Sequence, residues 1–191
     1  MKAIVILHGL LLVVSGAICQ QTKEGRQKIM FSTVNQAGLI SASNGESAII
    51  QTINGIKKDK WSTGIGVGLD YYIERSIPLF LDIRRDLTDT KNTPFIYADG
   101  GACFQWLNQG QKRQRNAINN YPGLYYDLGA GWKLSGKNKR SFIVSAGYTG
   151  KQVREKALST IWMPMPANTP RDKEYYKYNY RRIVIKVGFQ L

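Results

Sequence analysis

The stretch that decides the fold is Trp61-Ser62-Thr63-Gly64-Ile65-Gly66-Val67-Gly68-Leu69-Asp70-Tyr71-Tyr72. Its odd-numbered positions are mostly large and apolar, whereas its even-numbered positions are serine, glycine and aspartate up to Tyr72. Because successive side chains of a strand point to opposite faces, this alternation predicts a β-strand with one apolar and one small or polar face. The stretch is long enough to cross a bilayer, which takes about 9–11 tilted residues.

The same design recurs along the chain. Alternating segments occupy residues 78–87, 94–106, 123–134, 140–151 and 182–191. In addition, Ser43-Asn44-Gly45-Glu46 is a hairpin turn between two further strands in residues 29–56. The count is eight, an even number that lets both ends of the sheet lie on one side. The sequence therefore predicts an all-β fold, a closed antiparallel up-and-down transmembrane barrel with long outer loops at 107–121 and 152–176.

Residues 1–19 differ in composition from the rest of the chain. A basic start is followed by an apolar run and then by small residues, which is the order of a secretory signal peptide. We expect a signal peptide at 1–19, a short N-terminal segment at 20–27 and a barrel domain at 28–191. Either Cys19 is removed with the signal, or it becomes a lipid-modified first residue.

Periodicity alone does not say which face points into the barrel. The interior of an eight-stranded barrel is only wide enough for side chains, and the polar faces here are rich in glycine and in charges of both signs. This composition suits a narrow polar lumen, with the apolar faces turned to lipid. Because an unpaired buried charge is costly, we expect the lumen charges to neutralise one another. The predicted network comprises Asp70, Asp82, Arg84, Asp99, Asp127, Lys133, Arg182 and Lys186.

Aromatic residues stand near the ends of the apolar faces, as they do in the girdles of membrane barrels. From Trp61 to Tyr71 a strand covers roughly 33 Å, and a tilt of about 40° leaves roughly 25 Å of height, the height of the apolar band in such barrels. The predicted girdle consists of Trp61, Trp132, Phe142 and Phe189 near the side of the chain ends, and of Tyr71, Phe104, Trp106, Tyr126 and Tyr148 near the other side.

The chain is strongly basic, with 27 Lys and Arg residues against 13 Asp and Glu. Residues 1–19 contain one of these, Lys2, so 26 basic residues stand against 13 acidic ones in the remainder. In an exported barrel this excess favours anionic lipid or lipopolysaccharide over nucleic acid. We expect Lys112, Arg113 and Arg115 in the first long loop to contact lipopolysaccharide phosphates. A basic surface that serves only solubility fits the same composition.

Catalysis and cofactor binding find little support in the sequence. The only histidine, His8, lies in the predicted signal peptide, so the mature chain lacks the base that usually activates a serine nucleophile. The glycines of Gly64–Gly68 alternate inside a strand instead of opening a helix, so they do not form a nucleotide-binding loop. We therefore predict no enzyme activity, no catalytic residue, no metal site and no cofactor.

Four stretches carry a resemblance to a known family: Gly64–Tyr72, Arg75–Asp82, Pro94–Gly101 and the closing strand Arg181–Leu191. On these stretches the chain resembles the small outer-membrane β-barrel proteins of Gram-negative bacteria, the outer membrane protein beta-barrel domain family. The resemblance spans residues 28–191 and implies a barrel assembled by the outer-membrane insertion machinery. It carries over no functional residue.

The sequence as a whole predicts an exported, integral outer-membrane barrel with a structural, lipopolysaccharide-contacting or surface-interaction role. We expect a monomer whose partners are outer-membrane lipid, lipopolysaccharide and the insertion machinery. The alternative is a soluble periplasmic or secreted β-barrel that binds a small apolar ligand, because the same alternation arises when the apolar faces point inward.

Overall fold

The computed structural model describes residues 29–42, 45–106, 117–136, 140–158 and 173–191. The predicted signal peptide and the segment at 20–27 lie outside these residues. In the part of the chain that is described, no helix is long and apolar enough to span a membrane. The strands are β1 (Met30–Ala42), β2 (Gly45–Lys58), β3 (Trp61–Asp70), β4 (Ser76–Asp86), β5 (Asn92–Gln105), β6 (Ala117–Tyr121), β7 (Gly123–Ser135), β8 (Ser141–Leu158) and β9 (Lys173–Gln190).

The strands form one closed antiparallel sheet. From β1 to β5 and from β7 to β9 each strand pairs with the next, β5 pairs with β7, and β9 returns to pair with β1. The short β6 pairs with β8, as β7 does, so β6 and β7 are two parts of one barrel strand. The structure thus confirms a closed barrel of eight strands, including the first two, which the hairpin turn indicated.

The break between β6 and β7 falls at Pro122. Proline has no backbone N–H to give to the ladder, and the register against β8 shifts by one residue across it. Gly123 follows, and a Cβ atom there would lie 1.6 Å from the backbone oxygen of Gln152. This register shift is a β-bulge, and it brings the backbone of β8 so close that only glycine fits at position 123.

The long outer loops are shorter than the sequence predicts. Residues 117–121, 152–158 and 173–176, which were assigned to loops 107–121 and 152–176, are strand. The sequence pattern misses them because the outward positions of this part of β8 are Gln152, Arg154 and Lys156, so no apolar alternation marks the strand. Backbone pairing with β9 continues nonetheless as far as Leu158 opposite Lys173. The rest of both loops lies outside the described residues.

The two ends of the barrel differ. β1 begins and β9 ends at one of them, here called the turn end, where short turns connect the strands. The tightest is Asp59-Lys60 between β2 and β3, with Asp59 at a φ of 54°, in the left-handed region that hairpin turns use. The other end, here called the loop end, carries the extended hairpin of β8 and β9.

Apolar side chains point outward and polar side chains point inward. Leu81 and Ile185 are 63% and 57% exposed, whereas Asp70, Arg182 and Lys186 are at most 2% exposed. This distribution is the inverse of a water-soluble barrel, in which the apolar faces form the core. The register keeps each face continuous around the barrel, since a slip of one residue would turn every side chain to the wrong side.

Candidate functional site

The loop half of the barrel interior is organised around Asp70. Its two carboxylate oxygens lie 2.6 Å from the Arg182 guanidinium and 3.3 Å from the Lys151 ammonium, and all three side chains are fully buried. Lys151 also donates hydrogen bonds to the backbone carbonyls of Tyr72 and Glu74, both at 2.7 Å. The guanidinium carbon of Arg182 lies 5.1 Å from the Tyr72 ring centroid. One carboxylate is thus the shared ion-pair partner of two cations, from β8 and β9.

A second buried cluster, near the middle of the barrel, is centred on Asp127 of β7. Lys186 donates to its carboxylate at 2.8 Å, and the Tyr97 hydroxyl does so at 3.0 Å. The Tyr125 hydroxyl lies 3.4 Å from the same carboxylate and accepts a hydrogen bond from Gln51 at 2.8 Å. These contacts join side chains of β2, β5, β7 and β9 across the lumen. They therefore tie opposite walls of the barrel together.

Three aspartates stand side by side across neighbouring strands. Asp99 of β5 is the register partner of Asp82 on one side and of Asp127 on the other. Arg84 donates to Asp82 at 2.8 Å, and Asp127 has Lys186, but neither oxygen of the buried Asp99 has a hydrogen-bond partner among the described residues. The predicted network is therefore paired at Asp82 and Asp127 and unpaired between them.

At the turn end the structure pairs Lys133 with Asp86, a residue absent from the predicted network. The Lys133 ammonium lies 2.5 Å and 2.7 Å from the two Asp86 oxygens, and Lys57 approaches the same carboxylate at 2.5 Å. The sequence contained the pattern needed to find this partner, because Asp86 falls on the same alternating face of β4 as Asp82 and Arg84. The eight predicted lumen residues are all buried inside the barrel.

The interior also holds large aromatic side chains, on the same alternating faces as the lumen charges. Phe80, Phe95, Tyr97 and Tyr125 belong to one buried cluster. Interior glycines make room for these rings. A Cβ atom at Gly66 would lie 2.4 Å from the Phe80 ring, and one at Gly131 would lie 2.6 Å from the Phe95 ring. Glycine and aromatic residues on adjacent strands together fill a lumen that is too narrow for two large side chains at one level.

The predicted girdle residues lie on the outer wall. Eight of the nine are exposed, and Tyr126 is half-buried beside Tyr148, at a ring distance of 6.4 Å. At the turn end the rings of Phe142 and Phe189 meet edge to face at 5.5 Å. Between these two rings of aromatics the wall is mostly aliphatic. The arrangement is the apolar band with two flanking aromatic belts that is typical of membrane barrels.

Comparison with known proteins supports the fold. No protein-family model matches the sequence, and no curated protein sequence matches it. Among solved structures, the chain is similar to the crystal structure of the outer membrane protein OprG from Pseudomonas aeruginosa. The identity is 11%, the alignment covers 87% of this chain and 96% of that chain, and the TM-score is 0.50. This chain has the fold of an outer-membrane β-barrel. At this identity the likeness concerns the fold alone.

The loop end of this outer-membrane-type barrel carries a basic strip on its outer surface. The predicted lipid-contact residues Lys112, Arg113 and Arg115 lie outside the described residues. The structure instead places four cations on the outward face of the extended hairpin, where β8 and β9 rise beyond the Tyr148 belt. We call this set the outer basic strip, and it consists of Arg154, Lys156, Lys177 and Arg181.

Lys156 of the outer basic strip lies beside an aromatic ring. The Lys156 ammonium lies 4.9 Å from the Tyr175 ring centroid. A hydrogen bond with the Tyr175 hydroxyl raises the pKa of Lys156 above its ordinary value. Glu155, the acidic residue between Arg154 and Lys156, points into the barrel and is buried. The outward face of this part of β8 therefore presents positive charge without an acidic neighbour from its own strand.

Inside the barrel the side chains take part in packing and charge compensation. The described residues contain no group of three or more His, Cys, Asp or Glu side chains placed to hold a metal ion. Cys103 is a free thiol that is buried within the aromatic cluster. Arg182, Tyr125, Lys151 and Lys186 are among the largest side chains that are completely buried, so the middle and the loop half of the lumen are filled by side chains.

Proposed function

We propose that this protein is an integral outer-membrane β-barrel of the small Gram-negative family, with a structural and lipopolysaccharide-contacting role and no catalytic activity. The signal peptide at 1–19 would export it, and the outer-membrane insertion machinery would assemble it. The observation that carries the membrane location is the outward-facing apolar wall between two aromatic belts. If this wall faced water, it would expose far more contiguous apolar area than the surface of a soluble monomer does.

The filled lumen supports a role at the outer surface rather than passage through the barrel. Charged pairs at Asp70, Asp127 and Asp86 bridge the interior at successive levels. Opening a path for solutes would require breaking at least one of these buried pairs, which is costly in a low-dielectric lumen. The same buried charges make the interior unsuited to a small apolar ligand. This argues against the alternative of a soluble barrel that binds such a ligand in its interior.

Lipopolysaccharide contact is supported by the position of the outer basic strip. Arg181 is the register partner of Gly150, only two residues beyond the belt residue Tyr148, and Arg154 lies six residues beyond it. At about 3.4 Å per residue and a tilt of about 40°, these side chains stand roughly 5–15 Å above the belt. Anionic groups at the top of the outer leaflet lie in this zone, and Lys and Arg bind phosphates through charge-assisted hydrogen bonds.

Cell fractionation tests the membrane location. We expect the full-length protein, expressed in a Gram-negative host, to co-sediment with outer membranes, to resist extraction by high salt, and to need detergent for release. The folded barrel should also migrate differently on gels before and after boiling. Release by salt alone would contradict the membrane proposal.

Charge reversal tests the lipopolysaccharide contact. We expect the double variant Arg154→Glu/Lys177→Glu to retain less lipopolysaccharide than the wild type after detergent purification, because it replaces attraction by repulsion. The matched control is Lys58→Glu/Arg85→Glu, which reverses two outward cations at the turn end. Equal retention by both variants would contradict a role for the strip. The triple reversal of Lys112, Arg113 and Arg115 tests the loop in the same assay.

A further inference from the structure

The outer wall is apolar between the belts except on one pair of strands. On β3 to β9 the outward positions between the belts are Leu, Ile, Val, Ala, Gly or aromatic, apart from Thr63 beside the belt residue Trp61. On β1 and β2, four of the outward positions at mid-strand carry polar side chains instead. We call these four residues the Asn–Thr patch, and they are Thr33, Asn35, Thr52 and Asn54.

The patch is a ladder of two cross-strand pairs. The Thr33 hydroxyl donates to the Asn54 side-chain oxygen at 2.9 Å. The Thr52 hydroxyl donates to the Asn35 side-chain oxygen at 2.8 Å. Each asparagine carbonyl is thereby satisfied, whereas each side-chain amide still has two N–H donors. Among the described residues, neither amide nitrogen has an acceptor.

The patch lies deep in the apolar band. The register sets Asn54 beside Ile65 and Thr52 beside Val67, which are four and six residues from the belt residue Trp61. At about 3.3 Å per residue and a tilt of about 40°, this is roughly 10–15 Å above the turn-end belt, close to the middle of a band about 25 Å tall. Acyl chains at this depth offer no hydrogen-bond acceptor. Lipid therefore leaves the amides unsatisfied, at a cost in free energy.

A shallow recess adjoins the patch on the same wall. Its volume is about 670 Å³, and its lining includes Asn35, Ala37 and Thr52 as well as the larger Ile50 and Phe189. The recess exists because the outward side chains of β1 are short between Phe31 and Leu39. Small residues and polar side chains together are the composition that lets two membrane-embedded segments approach and form hydrogen bonds.

We propose that the β1–β2 wall is a dimer interface that binds the same wall of a second copy of this chain. A twofold axis along the membrane normal brings β1 of one copy against β2 of the other at equal depth, so each patch meets a patch. Asparagine and threonine both donate and accept, which makes the patch self-complementary. This proposal rests on the membrane location proposed above, and it replaces the monomer expected from the sequence.

The first test measures dimerisation of the purified full-length barrel in lipid bilayers at a series of protein-to-lipid ratios. We expect Asn35→Leu/Asn54→Leu to weaken dimerisation at least about tenfold, because hydrogen bonds between membrane segments are lost at both asparagines. The matched control is Ala98→Leu/Ala130→Leu, which adds two leucines to the opposite wall on β5 and β7 and should leave the dimer unchanged. Heat-modifiable migration shows that each variant is folded.

The second test leaves the patch intact. In a Cys103→Ala background, Ala37→Cys places a thiol on the proposed interface and Ala98→Cys places one on the opposite wall. We expect a short bifunctional maleimide, applied to outer-membrane fractions, to cross-link the first variant to a dimer and not the second. If the leucine variants do not fold, this cross-linking test still decides the proposal.

Two results with the Asn–Thr patch intact would overturn the interface. One is a folded wild-type barrel that stays monomeric at every protein-to-lipid ratio, and the other is equal cross-linking at positions 37 and 98. Dimerisation that survives Asn35→Leu/Asn54→Leu would overturn it as well. Each of these results leaves the membrane location standing. Absence of the protein from the outer-membrane fraction would instead overturn the proposed function together with the interface.

Discussion

Two buried aspartates of this barrel have opposite surroundings. Asp70 at the loop half holds two cations, Arg182 and Lys151, within 2.6 Å and 3.3 Å. Asp99 stands between the carboxylates of Asp82 and Asp127, and neither of its oxygens has a hydrogen-bond partner among the described residues. Both residues are almost completely buried, so solvent compensates neither.

The difference shows that membership of an interior charge network does not by itself make a residue stabilising. A buried carboxylate that neutralises cations is expensive to remove, because its removal leaves those cations uncompensated. A buried carboxylate beside two others adds repulsion, and its removal relieves that repulsion. Substitutions at the two sites should therefore change stability in opposite directions.

The largest effect is expected at Asp70. We expect Asp70→Asn to lower the free energy of unfolding by about 3–5 kcal/mol, since Arg182 and Lys151 would both lose their buried counter-charge. Urea titration of the barrel in phospholipid vesicles, followed by tryptophan fluorescence, measures this change. A loss below about 1 kcal/mol would show that water reaches the cluster and that the comparison with Asp99 has no basis.

A smaller loss is expected at Asp127. We expect Asp127→Asn to cost about 2–3 kcal/mol, because one charge-assisted hydrogen bond from Lys186 is lost while an amide oxygen still accepts from Tyr97. The same titration ranks the two variants. If Asp127→Asn lowered the free energy of unfolding more than Asp70→Asn, the number of cations around a buried carboxylate would not determine its contribution to stability.

At Asp99 the change in the free energy of unfolding should have the opposite sign. We expect Asp99→Asn to raise the free energy of unfolding by about 1 kcal/mol, since the amide cannot ionise beside Asp82 and Asp127 and supplies hydrogen-bond donors to them. Asp82→Asn is the matched control. It should destabilise the barrel, because it takes away the partner of Arg84. Destabilisation by both substitutions to a similar extent would mean that Asp99 has a stabilising role of its own.

The smallest effect is expected at the exposed ion pair of Lys60 and Asp89. Their charged groups lie 2.7 Å apart, but the Asp89 side chain is 80% exposed. We expect Lys60→Ala to change the unfolding free energy by less than about 0.5 kcal/mol, because solvent screens such pairs. A drop in the temperature of heat-modifiable migration comparable with that of Asp70→Asn would contradict the role given to burial.

Much of the fold could be predicted because its determinants are local. Period-two alternation identifies β3, β4, β7 and β9 and tells which side chains share a face, and the turn at Ser43–Glu46 locates β1 and β2. The pattern fails beyond Gln152, where β8 leaves the apolar band and its outward side chains become polar. There the strand persists through backbone pairing with β9, which no local pattern reveals.

The candidate sites were predicted less completely. Alternation identified the lumen charges, yet the partner of Lys133 was missed, although Asp86 shares the face of Asp82 and Arg84. Alternation sets Phe80 on the face of Asp82 and Tyr125 on the face of Asp127, but only closure of the barrel shows that these rings meet in one buried cluster. The Asn–Thr patch was missed for a different reason. Asn35 and Asn54 lie in the two strands with the weakest alternation, and their depth follows only from the register with β3.

The sequence by itself determined the number of barrel strands, the parts of them that lie in the apolar band and the opposite character of the two faces, because side-chain direction along a strand depends only on odd or even position. The tertiary structure decided which charges meet. Lys186 is paired with Asp127 and Arg182 with Asp70, although 59 and 112 positions separate them in the chain. Such contacts depend on closure of the barrel and on the register of every strand between them. That is why Asp70 is neutralised while Asp99, with the same alternation and the same burial, is left between two carboxylates.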